Sequence, residues 1–268
     1  WAPDGHSSAP TAASMFLAGV SMKLGGYGCL RVATFLFPEA ADELSWIFII
    51  LASTAILYGA IVTLKQKDLK YMNAFSSVSH CGFVILGIAM LTRTAITGAV
   101  MQMVSHGVMT ALFFGVIGMI YQRTHTRQIS ELGGVLYQAP FIGSAFLIAG
   151  LCSLGLPGMS GFVSEMTIFV GSWERAGIFY RVATLIACSS IVITAVYILR
   201  AVGSVIWGEV RNKAVKSMTD ATPSERLASV LLIAAIFLIG TCPFWVIRLI
   251  DSDSFVIAQR LLTQAFQY

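Results

Sequence analysis

The sequence predicts an all-α polytopic membrane protein with seven transmembrane helices, one of them discontinuous. Three observations carry that expectation. Hydrophobic residues make up 57% of the chain and charged residues 11%, against about 25% charged in soluble domains, and mean hydropathy is +0.81. The apolar residues form long unbroken runs rather than the alternating pattern of barrel strands, and in lipid only helices and closed barrels satisfy their own backbone. One run contains "GLPGMSGFVSEMTIFVG" (155–171), where helix breakers precede Glu165, the single charged residue between Leu132 and Trp173.

About 20 apolar residues cross a bilayer core. The stretches that qualify are 11–36, 44–64, 71–92, 95–121, 135–173, 180–207 and 227–250. The loop "KQKDLK" (65–70) holds Lys65, Lys67 and Lys70; 122–131 holds Arg123 and Arg127; 209–226 holds Arg211, Lys213, Lys216 and Arg226. Intervening loops are poorer: 37–43 has no base, 92–95 has Arg93, and 174–181 has Arg175 and Arg181. The positive-inside rule therefore places residue 1 in the cytoplasm and the C-terminal end outside. The three lysines of 65–70 read as interfacial anchors, Asp68 as a cap for the third span, and His125 and Arg200 as surface or snorkelling residues.

The 135–173 stretch is too long for one regular helix, and its second part is too short for another full span. Two spans would also put the basic 209–226 loop outside. One span, broken at Pro157, Gly158 and Gly161, satisfies both length and charge. Such breaks are tolerated where the freed backbone faces protein or water.

Lys23, His80, His106 and Glu165 lie far from the ends of four different spans. Intramembrane ionisable groups need partners or water and mark ion pathways. Ser76 sits one turn from His80, Gln102 one turn from His106, and Ser79 and Ser105 precede the two histidines, giving an accessory polar lining. Burial drives bases and acids toward neutrality while opposite charge does the reverse, so a hydrated line of such groups can pass protons. The reading is proton conduction by Lys23, His80, His106 and Glu165. Packing histidines and a snorkelling Lys23 are the bland alternatives.

Cys29, Cys81, Cys152, Cys188 and Cys242 are scattered singly and read as small buried hydrophobes, with no spacing for a metal site. No Gly-rich phosphate loop or thiolate cluster suggests flavin, iron–sulfur or nucleotide binding in this chain, and no basic stripe suggests nucleic acid. The chain opens at Trp1 with no basic n-region or cleavage pattern, which argues against an intact signal peptide and points to part of a longer protein.

The segments "WAPDGHSSAPTAASMFLAGVSMKLGGYGCLR", "KDLKYMNAFSSVSHCGFVILG", "MVSHGVMTALFFGVIGMIYQRTHTR", "ELGG" and "LPGMSGFVSEMTIFVGSW" resemble, in order, the antiporter-like membrane subunits of respiratory complex I (NADH:quinone oxidoreductase), above all the M type, chain 4 in mitochondrial naming. The likeness runs over nearly all of 1–250. It implies fourteen helices in two inverted five-helix repeats, of which this chain matches the part from the eighth helix onward. Residues 1–43 would then close a missing first repeat. Residues 44–208 would be the second repeat, with its broken helix at 135–173. Residues 209–268 would comprise a cytoplasmic loop, the last span and a tail.

The resemblance also carries roles. Lys23 matches the lysine linking the half-channels, His80 and His106 match histidines on the polar membrane axis, and Glu165 matches the ionisable group of the broken twelfth helix. A glutamate there favours the M type over the L and N types, which have lysine. The glutamate of the fifth helix and the lysine of the seventh would lie upstream of Trp1. Partners implied are the other membrane subunits of complex I, including the L and N types, in a bacterial inner membrane, with flavin, iron–sulfur clusters and quinone in those partners. Two other readings stay open: a subunit of an Mrp-type sodium/proton antiporter, and a haem-binding membrane cytochrome with His80 and His106 as axial ligands. A third is a subunit that only braces its neighbours.

Overall fold

The computed structural model describes residues 1–210 and 212–265, with side chains up to residue 261; Arg211 of the basic loop lies outside the described residues. Helices account for the architecture: α1 (Ala2–Ser8), α2 (Thr11–Phe16), α3 (Met22–Gly28), α4 (Pro38–Glu43), α5 (Ser45–Lys65), α6 (Leu69–Ala89), α7 (Arg93–Thr124), α8 (Val135–Gln138), α9 (Pro140–Ser153), α10 (Ser160–Glu174), α11 (Ile178–Val202), α12 (Lys213–Lys216), α13 (Pro223–Thr241) and α14 (Phe244–Ala265). Among the described residues, five helical stretches are long and apolar enough to cross a membrane: α5, α6, α7, Ile178–Trp207 and α13.

The other two expected spans are helical but interrupted. Between Thr11 and Thr34 the backbone passes through two π-helical turns, Leu17–Ser21 and Cys29–Thr34, on either side of α3. Such turns recur inside helices at functional sites. In the 135–173 stretch the helix starts at Pro140, not at 135, because a residue before proline is pushed out of the α region; Ala139 sits at φ −133°, ψ 77°.

The break itself falls where Gly and Pro cluster. Gly155 adopts φ +75°, the Gly155 N–H donates to the Cys152 carbonyl, and the Leu156 N–H reaches back to the Leu151 carbonyl at 3.1 Å. That is a Schellman motif. Gly158 is also left-handed, at φ +93°, and Pro157 is exposed. Gly161, in the first turn of α10, lies against the Cys152 carbonyl, where a Cβ would come within 2.3 Å.

The last expected span, 227–250, is corrected. Thr222 and Glu225 form a capping box that starts α13 early, at Pro223. Pro243 then ends it, since proline disfavours helix at the residue before it, and Cys242 sits at φ −126°, ψ 60°. A separate helix, α14, follows and packs on α7 and α4. Cys152 is buried, while the other four cysteines are only half-buried, short of the burial expected for all five.

α5 packs on α6, α6 on α7, α7 on α10, and α11 on α5. The main apolar core joins α7, α9 and α11, with Phe113 and Phe146 edge to face at 5.1 Å. Asp68 caps α6 by accepting from the Lys70 and Tyr71 N–H groups, as expected. Lys70 is not an interfacial anchor: it is 6% exposed and donates to the Ser7 and Ala9 carbonyls at the end of α1. Arg127 helps there with a 3.0 Å bond to Ser7.

Candidate functional site

Three helices, α6, α7 and α10, bring His80, His106 and Glu165 together beside the break. His80 on α6 places Nδ1 3.2 Å from Glu165 Oε1 on α10, and both side chains are buried. Gln102 on α7 approaches the same Nδ1 at 3.4 Å, and its carbonyl oxygen accepts a short bond from Ser164. On the other side of the ring, Nε2 lies 3.2 Å from Ser153 Oγ, at the end of α9. The second carboxylate oxygen, Oε2, rests where a Cβ on Gly155 would be only 3.0 Å away. The left-handed turn that breaks the helix also makes room for the carboxylate.

His106 stacks beside His80, with ring centroids 5.0 Å apart and planes tilted by 39°. Its Nε2 pairs with Thr110 Oγ1 at 3.0 Å, while its Nδ1 is buried without a protein partner. An unpaired buried nitrogen beside an ionisable pair is a position for water or for a moving proton.

The expected lining sorts itself by helix geometry. Successive residues on a helix point about 100° apart, so a neighbour in sequence faces a different helix. Ser79 is therefore turned away from the site, against expectation, and donates to the Ile56 carbonyl on α5 at 2.9 Å. Ser105 donates to Ser160 on α10 at 2.8 Å. Ser76 bonds the Tyr197 hydroxyl on α11 at 3.0 Å.

Lys23 stands apart from this cluster. Its ammonium donates to the Ala18 carbonyl in the neighbouring π turn. Its stem lines an open groove with Leu24, Tyr27, Val104 and Gly107. Gly107, one residue past His106, carries no Cβ, and the Gly19 carbonyl would meet one at 2.7 Å. That close approach holds Lys23 next to the turn bearing His106 without a direct bond.

Sequence reasoning missed Ser153, Ser160, Ser164, Thr110, Tyr197 and Gly155. Ser160 and Ser164 were findable, since they lie four residues apart on the helix that carries Glu165. It also passed over His6, which is 2% exposed and sets Nε2 2.9 Å from Met22 Sδ, next to Lys23 in sequence. Among the described residues no group of three or more His, Cys, Asp or Glu is arranged to hold a metal.

The class that fold and site define is a polytopic helical membrane protein with a broken helix and a buried His–Glu pair at the break. Comparison gives the family. The family described as NADH:quinone oxidoreductase/Mrp antiporter, TM, matches residues 1–194, and the chain belongs to it. The NADH-quinone oxidoreductase subunit M of Rickettsia conorii is 41% identical over 243 residues, covering 91% of this chain and 48% of that protein. The NAD(P)H-quinone oxidoreductase chain 4 1 of Synechococcus elongatus is 36% identical over 263 residues, 97% of this chain and 49% of that one. A chain in the structure of respiratory complex I from Thermus thermophilus superposes with a TM-score of 0.89 at 27% identity, over 97% of this chain and 54% of that one. A chain of the Mrp complex from Dietzia shares the fold, with a TM-score of 0.86 at 18% identity. The chain spans about half the length of the curated relatives it matches.

Proposed function

We propose that the chain is the second half of a proton-translocating M-type subunit of an NADH:quinone oxidoreductase. In this reading seven segments cross a bacterial inner membrane, with the interrupted stretches 11–34 and 140–174 as two of them. The five spans within 44–208 form one inverted-repeat unit, and L- and N-type subunits are its membrane partners. Redox chemistry, with its flavin, iron–sulfur clusters and quinone, belongs to partner chains. The observation that carries the reading is the buried His80–Glu165 pair at 3.2 Å. At that distance a proton can pass directly between the imidazole and the carboxylate.

His106, 5.0 Å from His80 by ring centroid, extends the path toward Lys23, and water has to complete the step between them. The haem alternative fits poorly. The rings contact each other, and both His80 nitrogens are occupied by Ser153 and Glu165, leaving no gap for an iron to bond each ring. The Mrp-type alternative keeps the same site and differs in the ion carried.

Glu165→Gln keeps size and hydrogen-bonding capacity but removes the titrating proton. In the full-length subunit assembled in its complex and sealed in vesicles, proton transport is expected to fall on the order of a hundredfold or more, as for other positioned proton-transfer groups, with assembly intact. Unchanged transport overturns the reading, and transport that depends on sodium favours the Mrp type.

A further inference from the structure

We propose that Tyr197 is the relay by which protons reach His80 from the aqueous face bearing the 65–68 and 125–131 loops. The inference rests on the translocating role proposed above and deepens it by supplying an entry path. A cavity of about 300 Å³ opens at that face, lined by Thr63, Gln66, Lys67, Arg200, Ser204 and Tyr197. Each water takes about 30 Å³ of liquid volume, so the cavity admits several, and its polar walls offer the partners they need. Lys67 and Arg200 are exposed, which keeps the region wet.

Tyr197 forms the inner wall. It lines the cavity yet is only 2% exposed, so most of its side chain is sunk into the protein interior. That hydroxyl bonds Ser76 Oγ at 3.0 Å, and the Thr194 and Ser153 hydroxyls lie close enough to act on it. Ser153 in turn meets His80 Nε2 at 3.2 Å. Two hydroxyl groups therefore connect the cavity to the imidazole.

With the His80 proton on Nδ1, facing Glu165, Nε2 is free to accept. A protonated water in the cavity gives a proton to Tyr197 Oη as the tyrosine passes its own to Ser153 Oγ. Ser153 passes its own to Nε2. Each hydroxyl ends neutral with one proton, the cavity has lost one and His80 has gained one. Transfer of the Nδ1 proton to Glu165 leaves the ring neutral with its proton on Nε2, and return of that proton to Nδ1, by tautomer exchange through water, readies Nε2 for the next. Ser76, one helical turn before His80, holds the tyrosine hydroxyl in place.

Tyr197→Phe removes a single oxygen from this wall. In the assembled full-length complex in vesicles it is expected to slow proton transport on the order of a hundredfold, with assembly unchanged. Should it fail to assemble, a second measurement uses Ser204→Cys at the cavity. A charged, reducible thiol reagent added from that face is expected to stop transport, reductant to restore it, and the reagent to leave the parent protein unaffected. Full activity of Tyr197→Phe, failure of Ser204→Cys to label from that face, or undiminished transport after complete labelling each overturns the proposal. Glu165→Gln is run alongside: if it abolishes transport while Tyr197→Phe does not, only the entry path is wrong, and if it has no effect, the translocating role falls first.

Discussion

Glu165 and His80 each remove a cost that the other would bear alone. An unpaired buried charge is far more destabilising than a buried pair, and breaking such a pair by removing one partner costs about 3–5 kcal/mol. Gly155 lies beside the carboxylate but supplies no compensating charge. His80→Ala is therefore expected to lower stability by about 3–5 kcal/mol, read as a fall in thermal midpoint, whereas His80→Ala with Glu165→Gln recovers a large part of the loss. Equal midpoints for the single and double variants would show that the two groups do not interact. All four ionisable residues were legible in the sequence, because a charge in an apolar run is conspicuous. Ser153 and Tyr197 were not: hydroxyls are common in membrane helices, and only tertiary packing points these two at His80. Ser79 misled for a related reason, since adjacency in sequence is not adjacency on a helix face.

At the scale of elements, the broken helix depends on contacts from outside it. Its first half, α9, begins at Pro140 with no side-chain cap of its own. Asp220, from the loop before α13, fills that role, accepting from the Phe141 and Ile142 N–H groups at 3.2 and 3.3 Å. The same loop binds Arg123 near the end of α7 through the Thr219 and Asp220 carbonyls, and Glu225 pairs with that guanidinium at 2.7 Å. Asp220→Ala is expected to destabilise the protein by about 1–2 kcal/mol, with Asp220→Asn intermediate, because its amide keeps only one of the two acceptor oxygens that serve these N–H groups. A thermal midpoint for Asp220→Ala equal to that of the parent would remove the cap from the account. The position of the break was legible, from Pro157, Gly158 and Gly161, as were the Asp68 cap and the start of the 44–64 span. The borrowed cap was not, since 79 residues separate Asp220 from Phe141. Nor was the end of α13, where apolar residues continue past Pro243 and hide the change from one helix to the next.

Across the whole molecule, the loop contacts sort into two ends. Lys67 and Ile129 share a backbone bond at 2.8 Å, and Leu69 takes the Arg127 carbonyl at 2.9 Å, tying the 65–68 and 125–131 segments together. At the other end Arg175 pairs with Asp42 at 2.7 Å and donates to the Ala89 and Met90 carbonyls, and Arg93 pairs with Asp251 of α14. The basic loops thus cluster on one face and the poorer ones on the other. The Lys/Arg bias made this division legible, because it reflects insertion into the membrane rather than packing. α14 belongs to the second end: it continues from Asp251 until Arg260 stacks on Phe35, at 4.7 Å from the ring centre, and it exposes Trp245, Phe255 and Val256. A helix with that composition at a loop-bearing end is expected to lie in the membrane interface rather than across it. In a background cleared of native cysteines, Lys67→Cys is expected to react with an impermeant thiol reagent only from the cytoplasmic side. Glu39→Cys and Ser252→Cys are expected to react only from the opposite side. Labelling of Lys67→Cys and Glu39→Cys from one face would break the seven-crossing arrangement. Labelling of Ser252→Cys from the Lys67 face would mean that α14 crosses the bilayer instead of lying along it.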